Sequence, residues 1–308
     1  MDNPVHSTVP AYVLITPARN EAPFIELTIK SVVAQTVQPL KWVIVSDGST
    51  DGTDGIVSGY AAQFPWIELV RMPERRERHF AGKVHAFNAG YGRVRGLEYD
   101  AIASLDADIS FDEGYFEYLL QRLAEDPRLG LVGTPFKEGS KTAYDYRFVN
   151  IEHVSGACQL FRRQCFEEID GYVPIEIGGI DYVMVITARM KGWKTRTFTE
   201  KVSEHHRAMD MAKHGPLAAR FKNGRKDYVF GNHPLWEVFR SCYQTTKPPL
   251  VLGGALLLSG YMWAAVRRVD RPVSRNLVAF VRREQMQRLR KLLWGVGTSP
   301  DNSLRTSS

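Results

Sequence analysis

With 308 residues, 44% of them hydrophobic, the chain can bury one large α/β domain with an appendage, or two modest domains. Three cysteines, Cys158, Cys165 and Cys242, cannot all pair with one another and lack metal-ligand spacing, which excludes a disulfide framework and points to a reducing compartment. The net charge of +6 is gathered late in the chain with no nucleic-acid-binding motif beside it, so nucleic acid is excluded as the expected partner.

Met1 to Pro10 is short and polar, without the basic-then-apolar order of a signal peptide, and is read as cytoplasmic. Tyr12 to Thr16 is an apolar run expected as a buried strand ending at Pro17. Helical spacing follows over Ile25 to Thr36, and Trp42 to Ser46 reads as a second strand. Ser49, Thr50 and Asp51 are capping residue types before a helix reaching about Ala62. Ile67 to Val70 is expected as a strand, Val84 to Leu97 as a helix, and Ala101 to Leu105 as a fourth strand stopped by Asp106-Ala107-Asp108. Thr195 to Val202 is again strand-like. Alternation of this kind predicts an α/β fold, a mostly parallel sheet with helices on both faces.

Beyond Lys201 the pattern changes. Arg207 to Asn232 is basic and interrupted by glycines, and Trp236 to Tyr243 suits an aromatic interfacial helix. Leu250 to Val266 is almost uncharged and at the lower limit of a bilayer span; basic residues flank both ends, so the charge rule gives a single anchor no clean orientation, and a re-entrant or in-plane helix would keep both flanks in the cytoplasm. A buried core helix is the plain alternative. Val273 to Trp294 places Leu277, Val281, Leu289, Leu292 and Leu293 on one face with arginines elsewhere. From Arg267 to Lys291 nine Arg or Lys residues face two acids, Asp270 and Glu284, a balance suited to anionic lipid. The expected division is 1–206 as catalytic domain, 207–297 as a helical, membrane-associating segment, and 298–308 as a disordered tail.

Ligands of parallel α/β sheets bind beyond the carboxyl ends of the strands, where Arg19 to Glu21, Asp47, and Asp106 with Asp108 are expected. An Asp-x-Asp at a strand end sets two carboxylates in one turn, suited to Mn²⁺ or Mg²⁺, which take a few carboxylates together with phosphate oxygens. Such an ion offsets the charge of a leaving diphosphate. Asp47 can accept a hydrogen bond from a pyrimidine N–H, and Gly48 permits a tight turn; the same stretch also reads as an ordinary capped strand-to-helix turn. No Gly-x-Gly-x-x-Gly follows the first strand, which excludes a dinucleotide-binding dehydrogenase.

Val45 to Thr53 (Val-Ser-Asp-Gly-Ser-Thr-Asp-Gly-Thr) resembles the signature of family-two glycosyltransferases, which have the GT-A fold. The likeness continues through Ala81-Gly82-Lys83 with Ala86-Phe87-Asn88-Ala89-Gly90, Leu105-Asp106-Ala107-Asp108, Ser155-Gly156-Ala157-Cys158, and Gly179-Ile180-Asp181 followed by Arg189 and Gly192-Trp193. Five blocks in order over about two hundred residues make the resemblance specific. It implies a nucleotide-sugar donor contacted by Pro17, Arg19, Asn20, Glu21, Asp47, Lys83, Asn88 and Asp106. It further implies Asp108 as metal ligand with His205 or His206 completing the site, and Asp181 as the base that takes the acceptor proton, with inversion at the anomeric carbon. Adjacent histidines in a strand face opposite ways, so at most one is expected to ligate. Ile180 departs from the acid usual before the base, and Ser46 from the first of a frequent acid pair.

Gln-x-x-Arg-Trp, carried by processive polysaccharide synthases, is missing; Gln285-Met286-Gln287-Arg288-Leu289 comes near but lacks the Trp. The expected activity is therefore transfer of a single sugar to a lipid-linked or cell-envelope glycan at the cytoplasmic face of the membrane. The alternatives are a non-catalytic nucleotide-sugar-binding or membrane scaffold protein, which Ile180 favours, and a sugar nucleotidyltransferase, whose glycine-rich basic loop is missing at Thr16 to Glu21.

Overall fold

The computed structural model describes residues 9–74, 81–139, 141–142, 151–207, 216–247 and 250–294. The chain forms two compact units, 1–208 and 209–308. The tail expected over 298–308 lies outside the described residues.

The first unit runs β1 (Tyr12–Ala18), α1 (Ile25–Val33), β2 (Lys41–Asp47), α2 (Thr53–Ala61), β3 (Ile67–Met72), α3 (Ala81–Val94), β4 (Ala101–Leu105), β5 (Ile109–Ser110), α4 (Tyr115–Glu125), β6 (Leu129–Gly133), β7 (Phe136–Glu138), β8 (Lys141–Thr142), β9 (Cys158–Arg162), α5 (Arg163–Glu168), α6 (Ile180–Met190), β10 (Lys194–Thr197) and β11 (Ser203–His205). Seven strands make one sheet in the order β10-β6-β9-β4-β1-β2-β3, parallel except for β9, which lies antiparallel between β4 and β6. β1, β2 and β4 are apolar and almost fully buried, as strands covered on both faces must be. Tyr12, Leu14, Trp42 and Ile44 join Ile25, Ile29 and Val32 of α1 and Phe116, Leu119 and Leu120 of α4 in the core. The sheet is the α/β, mostly parallel layer that the alternating pattern predicts.

Two local expectations change. β1 continues through Pro17 to Ala18, where it pairs only with β2, since its pairing with β4 ends at Ile15. A proline lacking its N–H is tolerated where one neighbour has dropped away. Of the strand-like stretch Thr195 to Val202 only Thr195–Thr197 is strand, as part of β10 in the large sheet; β11 begins just after the stretch and joins β5, β7 and β8 in a four-stranded sheet of order β5-β11-β7-β8. That small sheet brings residues 203–205 beside the turn after β4.

The second unit holds α7 (Pro216–Val229), α8 (Pro234–Thr245), α9 (Leu252–Val266) and α10 (Arg275–Trp294). α9 crosses α7 closely: a Cβ on Gly224 would meet the Leu257 carbonyl oxygen at 1.9 Å, and one on Gly260 the Phe221 carbonyl oxygen at 2.1 Å. The glycines of the apolar run thus permit backbone contact between helices. α9 has 15 residues, about 22 Å of helix against roughly 30 Å of hydrocarbon. Among the described residues no helix is long and apolar enough to cross a membrane.

Candidate functional site

Two loops meet at the ends of β1 and β2. Gly48, at φ 65°, makes the turn after Asp47. Asn20 donates its backbone N–H to Ser49 Oγ (3.1 Å), its Oδ1 accepts from the Thr50 N–H (2.8 Å), and the Glu21 and Ala22 N–H groups bond Thr53 Oγ1 and Asp51 Oδ2. The side chain of Asn20 is therefore engaged in joining the loops. Pro17 lies inside β1, and Arg19 Nη1 stands 3.9 Å from the buried Asp47 carboxylate.

Asp106 and Asp108 leave β4 in a turn whose Ala107 carbonyl accepts from Thr28 Oγ1 of α1 (2.8 Å). The Asp106 N–H donates to the Ala157 carbonyl (3.0 Å), because β9 is registered on β4 with Cys158 opposite Leu105. Gly156, the next residue, packs on Asp181: a Cβ there would lie 3.0 Å from Asp181 Cβ. Asp181 itself is in the first turn of α6, behind Gly179 in the left-handed region. The succession Asp106, Ala157, Gly156, Asp181 thus gathers two carboxylates from elements far apart in sequence.

Lys83, in the first turn of α3, donates to Asp106. Burial alone would lower its pKa; the charges of Asp106, then Asp181 and Asp108, outweigh this and raise it. One ammonium therefore lies in the field of all three aspartates. Burial raises the Asp106 carboxyl, offset only in part by Lys83. For Asp108 burial also acts upward, but His205 and Arg207 outweigh it and hold the carboxyl below its ordinary range. Asn88 sits on the exposed side of α3, five residues from Lys83 and so about 140° around the helix; the structure does not bring it to the other residues.

The two histidines diverge. His205 Nε2 lies 3.4 Å from Asp108 Oδ2, and its Nδ1 lies 2.9 Å from Glu138 Oε1. Burial would lower the imidazole pKa, but the two carboxylates carry it up to about 9. His206 instead meets Ser110 Oγ at 2.7 Å through Nε2, and its N–H bonds the Asp108 backbone carbonyl (2.9 Å). Arg207 pairs with Glu21, lies 3.4 Å from Asp108 Oδ2, and rests over the Phe24 ring. Glu21 is thus taken up by an arginine.

Do these residues suit a divalent ion? Two donors at right angles on one ion at about 2.1 Å stand roughly 3 Å apart, near the 3.4 Å between Asp108 Oδ2 and His205 Nε2. Among the described residues no group of three or more His, Cys, Asp and Glu is arranged to hold a metal. One carboxylate and one imidazole fit an ion of the Mn²⁺ or Mg²⁺ kind when a diphosphate supplies the remaining oxygens.

Sequence reasoning missed Glu138, Arg207 and His153. Arg207 was open to it, because positions two apart in an extended segment share a face and His205 was already singled out. Glu138 carried no signal until β7 and β11 were paired. Burial lowers the His153 pKa, partly offset by Asp181; no local pattern marks it.

The family model of glycosyl transferase family 2 matches residues 13–170, half of the chain and every strand end described above except those of β10 and β11. The chain belongs to glycosyl transferase family 2. It is 29% identical over 136 residues to the poly-beta-1,6-N-acetyl-D-glucosamine synthase of Staphylococcus aureus (strain COL), covering 44% of this chain and 31% of that protein. It is 30% identical over 151 residues to the probable glycosyltransferase YdaM of Bacillus subtilis (strain 168), covering 47% and 34%. The chain thus spans about a third of the length of these curated relatives.

Among solved structures, the mannosyltransferase PcManGT from Pyrobaculum calidifontis, in complex with GDP-Man and Mn²⁺, aligns with TM-score 0.56 at 19% identity, over 94% of this chain and 89% of that one. TarS 1-349 of S. aureus in complex with UDP-GlcNAc aligns with TM-score 0.53 at 13% identity, over 82% and 71%. At these identities the likeness establishes the GT-A-like fold, a mostly parallel sheet with flanking helices.

Proposed function

We propose that this glycosyltransferase moves a single sugar, with inversion, from a nucleotide-sugar donor to a lipid-linked or cell-envelope glycan. The observation that carries the reading is the meeting of Lys83 with Asp106 at the end of β4, with Asp108 in the same turn and Asp181 of α6 packed against Gly156 beside it. Asp181 accepts the proton of the acceptor hydroxyl as its oxygen bonds to the anomeric carbon; the bond from that carbon to the diphosphate oxygen breaks, and the nucleoside diphosphate leaves. Pro17, Arg19 and Asp47 line the base and ribose end, with Asn20 and Glu21 shaping the loop around them. Lys83 and Asp106 serve the sugar-diphosphate end, and Asn88 belongs to this end only if α3 or its surroundings rearrange. Asp108 and His205 are the residues that would hold Mn²⁺ or Mg²⁺, with His206 in reserve on Ser110. A bound divalent ion would neutralise charge developing on the diphosphate.

The acceptor class draws support from the relatives, one of which is named as a synthase of poly-beta-1,6-N-acetyl-D-glucosamine. The absence of Gln-x-x-Arg-Trp supports single transfer over polymerisation.

For location, the reading is an in-plane docking of the helical unit at the cytoplasmic membrane surface. Leu252, Met262 and Val266 are 57%, 52% and 76% exposed on one side of α9, whose opposite side is buried. Such a row beside a tryptophan and the exposed Arg267 and Arg268 suits an anionic bilayer surface.

The testing experiment is thermal stabilisation by UDP- and GDP-sugars, with and without Mn²⁺. A ligand at 100 times its Kd adds about 2.7 kcal/mol to the folded state. One nucleotide family should stabilise the wild type in a Mn²⁺-dependent way and Asp108→Asn should lose that dependence. Folded wild-type protein that no nucleotide sugar stabilises would sink the reading.

A further inference from the structure

We propose that Glu138 is a positioning residue for metal binding: it orients His205 so that Nε2 is presented beside Asp108. This rests on Asp108 and His205 as the metal ligands.

The arrangement follows from strand register. β7 and β11 run parallel with Ser203 opposite Phe136 and Glu204 opposite Lys137. One step further along both strands, His205 comes beside Glu138. Because side chains alternate, Phe136 and Glu138 share one face with Ser203 and His205, while Lys137 and Glu204 pair on the other (3.3 Å). The Phe136 ring stands edge-on to the imidazole at 5.3 Å between centroids, and Glu138 Oε1 meets Nδ1 at 2.9 Å. β5 fixes the opposite border: His205 is registered on Ile109, directly after Asp108.

An imidazole has two nitrogens, and a half-turn of the ring exchanges them. With Nδ1–H given to a carboxylate, Nε2 is the nitrogen that faces Asp108, and it offers its lone pair to an ion that displaces its proton. A carboxylate behind a ligating histidine also strengthens the ligand, and removing such a partner typically costs about 10- to 100-fold in metal affinity. Glu138 acts through the ring, standing on its Nδ1 side while Asp108 stands on its Nε2 side. A glutamine keeps an oxygen able to accept from Nδ1–H; a leucine does not.

The test is a titration with Mn²⁺ alone, followed by the loss of free-ion electron paramagnetic resonance signal, together with the nitrogen coupling that a histidine ligand imprints on bound Mn²⁺. Wild type, Asp108→Asn, Glu138→Gln and Glu138→Leu are compared, each checked for folding by circular dichroism. Glu138→Leu should weaken Mn²⁺ binding about 10- to 100-fold and lose the nitrogen coupling, and Glu138→Gln should restore most of both. Equal affinity and coupling in wild type and Glu138→Leu, with Asp108→Asn impaired, would overturn the role of Glu138 and leave the metal site standing. If Glu138→Leu does not fold, unchanged coupling in a Glu138→Ala variant overturns it equally. Folded wild type that binds no Mn²⁺ would remove the metal reading and this inference with it.

Discussion

Both units bury carboxylates, and they treat them differently. In the first, Asp106 is met by Lys83 of α3, and Asp108 by His205 of β11 and by Arg207 two residues beyond it. In the second, Asp227 of α7 and Glu237 of α8 lie in one cluster with Arg240, which is part-exposed and pairs with Asp227. Glu237 is fully buried, its Oε2 is reached by Asn232 Nδ2 (3.4 Å), and its Oε1 has no hydrogen-bond partner among the described residues. Burial raises the Glu237 pKa to about 7, with Asp227 adding to the rise and Arg240 opposing it. Burial of charge is common to the two clusters; the first stands at the end of β4 beside the loops that close the sheet, whereas the second joins the helices α7 and α8. The lesson is that a shifted carboxylate marks a site only where chemistry can reach it.

The largest effect that tests this contrast is chemical. Asp181→Asn should lower transfer by about 10³-fold, within the 10² to 10⁴ that a general base supplies, while donor binding persists. Loss of donor binding with transfer intact would refute the role. No comparable loss should follow from Glu237→Gln, which alters only the cluster of the helical unit.

The next effect is on stability. The folded pKa of Glu237, about 7, lies above the ordinary 4.5, so its favourable contribution is complete below about pH 4.5 and is lost as pH rises through 7. Glu237→Gln should therefore raise stability above pH 7 by about 3 kcal/mol, with the gain vanishing near pH 4. Denaturant unfolding at pH 4 and pH 8 measures it. A variant less stable than wild type at both pH values would mean that the carboxyl pair is structurally required.

The smallest effect concerns the outer row of α9. Val266→Ser should weaken binding to phosphatidylglycerol-containing vesicles by about 1 kcal/mol, roughly fivefold, and leave both carboxylate clusters undisturbed. If wild type ignores vesicles but forms dimers that Val266→Ser disperses, the row covers a second copy and the bilayer assignment is wrong.

The alternation of strands and helices was legible because burial periodicity is local: Tyr12, Leu14, Trp42 and Ile44 declare buried strands within a few residues of themselves. The Asp-x-Asp turn was legible for a related reason, since an apolar run that stops at two carboxylates marks a strand end. Helix ends were less so; α1 stops at Val33 where helical spacing runs to Thr36. The apolar run 250–266 was legible as a helix, but not in its surroundings. Only the crossing at Gly224 and Gly260 separates its packed side from its exposed one.

By itself, then, the sequence determined the element types, the strand-end location of Asp47, Asp106 and Asp108, and the family likeness that singled out Lys83 and Asp181. Tertiary structure decided the partners. His205 meets Glu138 across 67 residues and Arg207 meets Glu21 across 186, through pairings that no short window of sequence contains. It also decided which histidine faces Asp108, because the register of β11 on β5 and β7, not the His-His pair, sets the direction of each ring. Periodicity is a property of a segment, whereas register and proximity are properties of the closed chain.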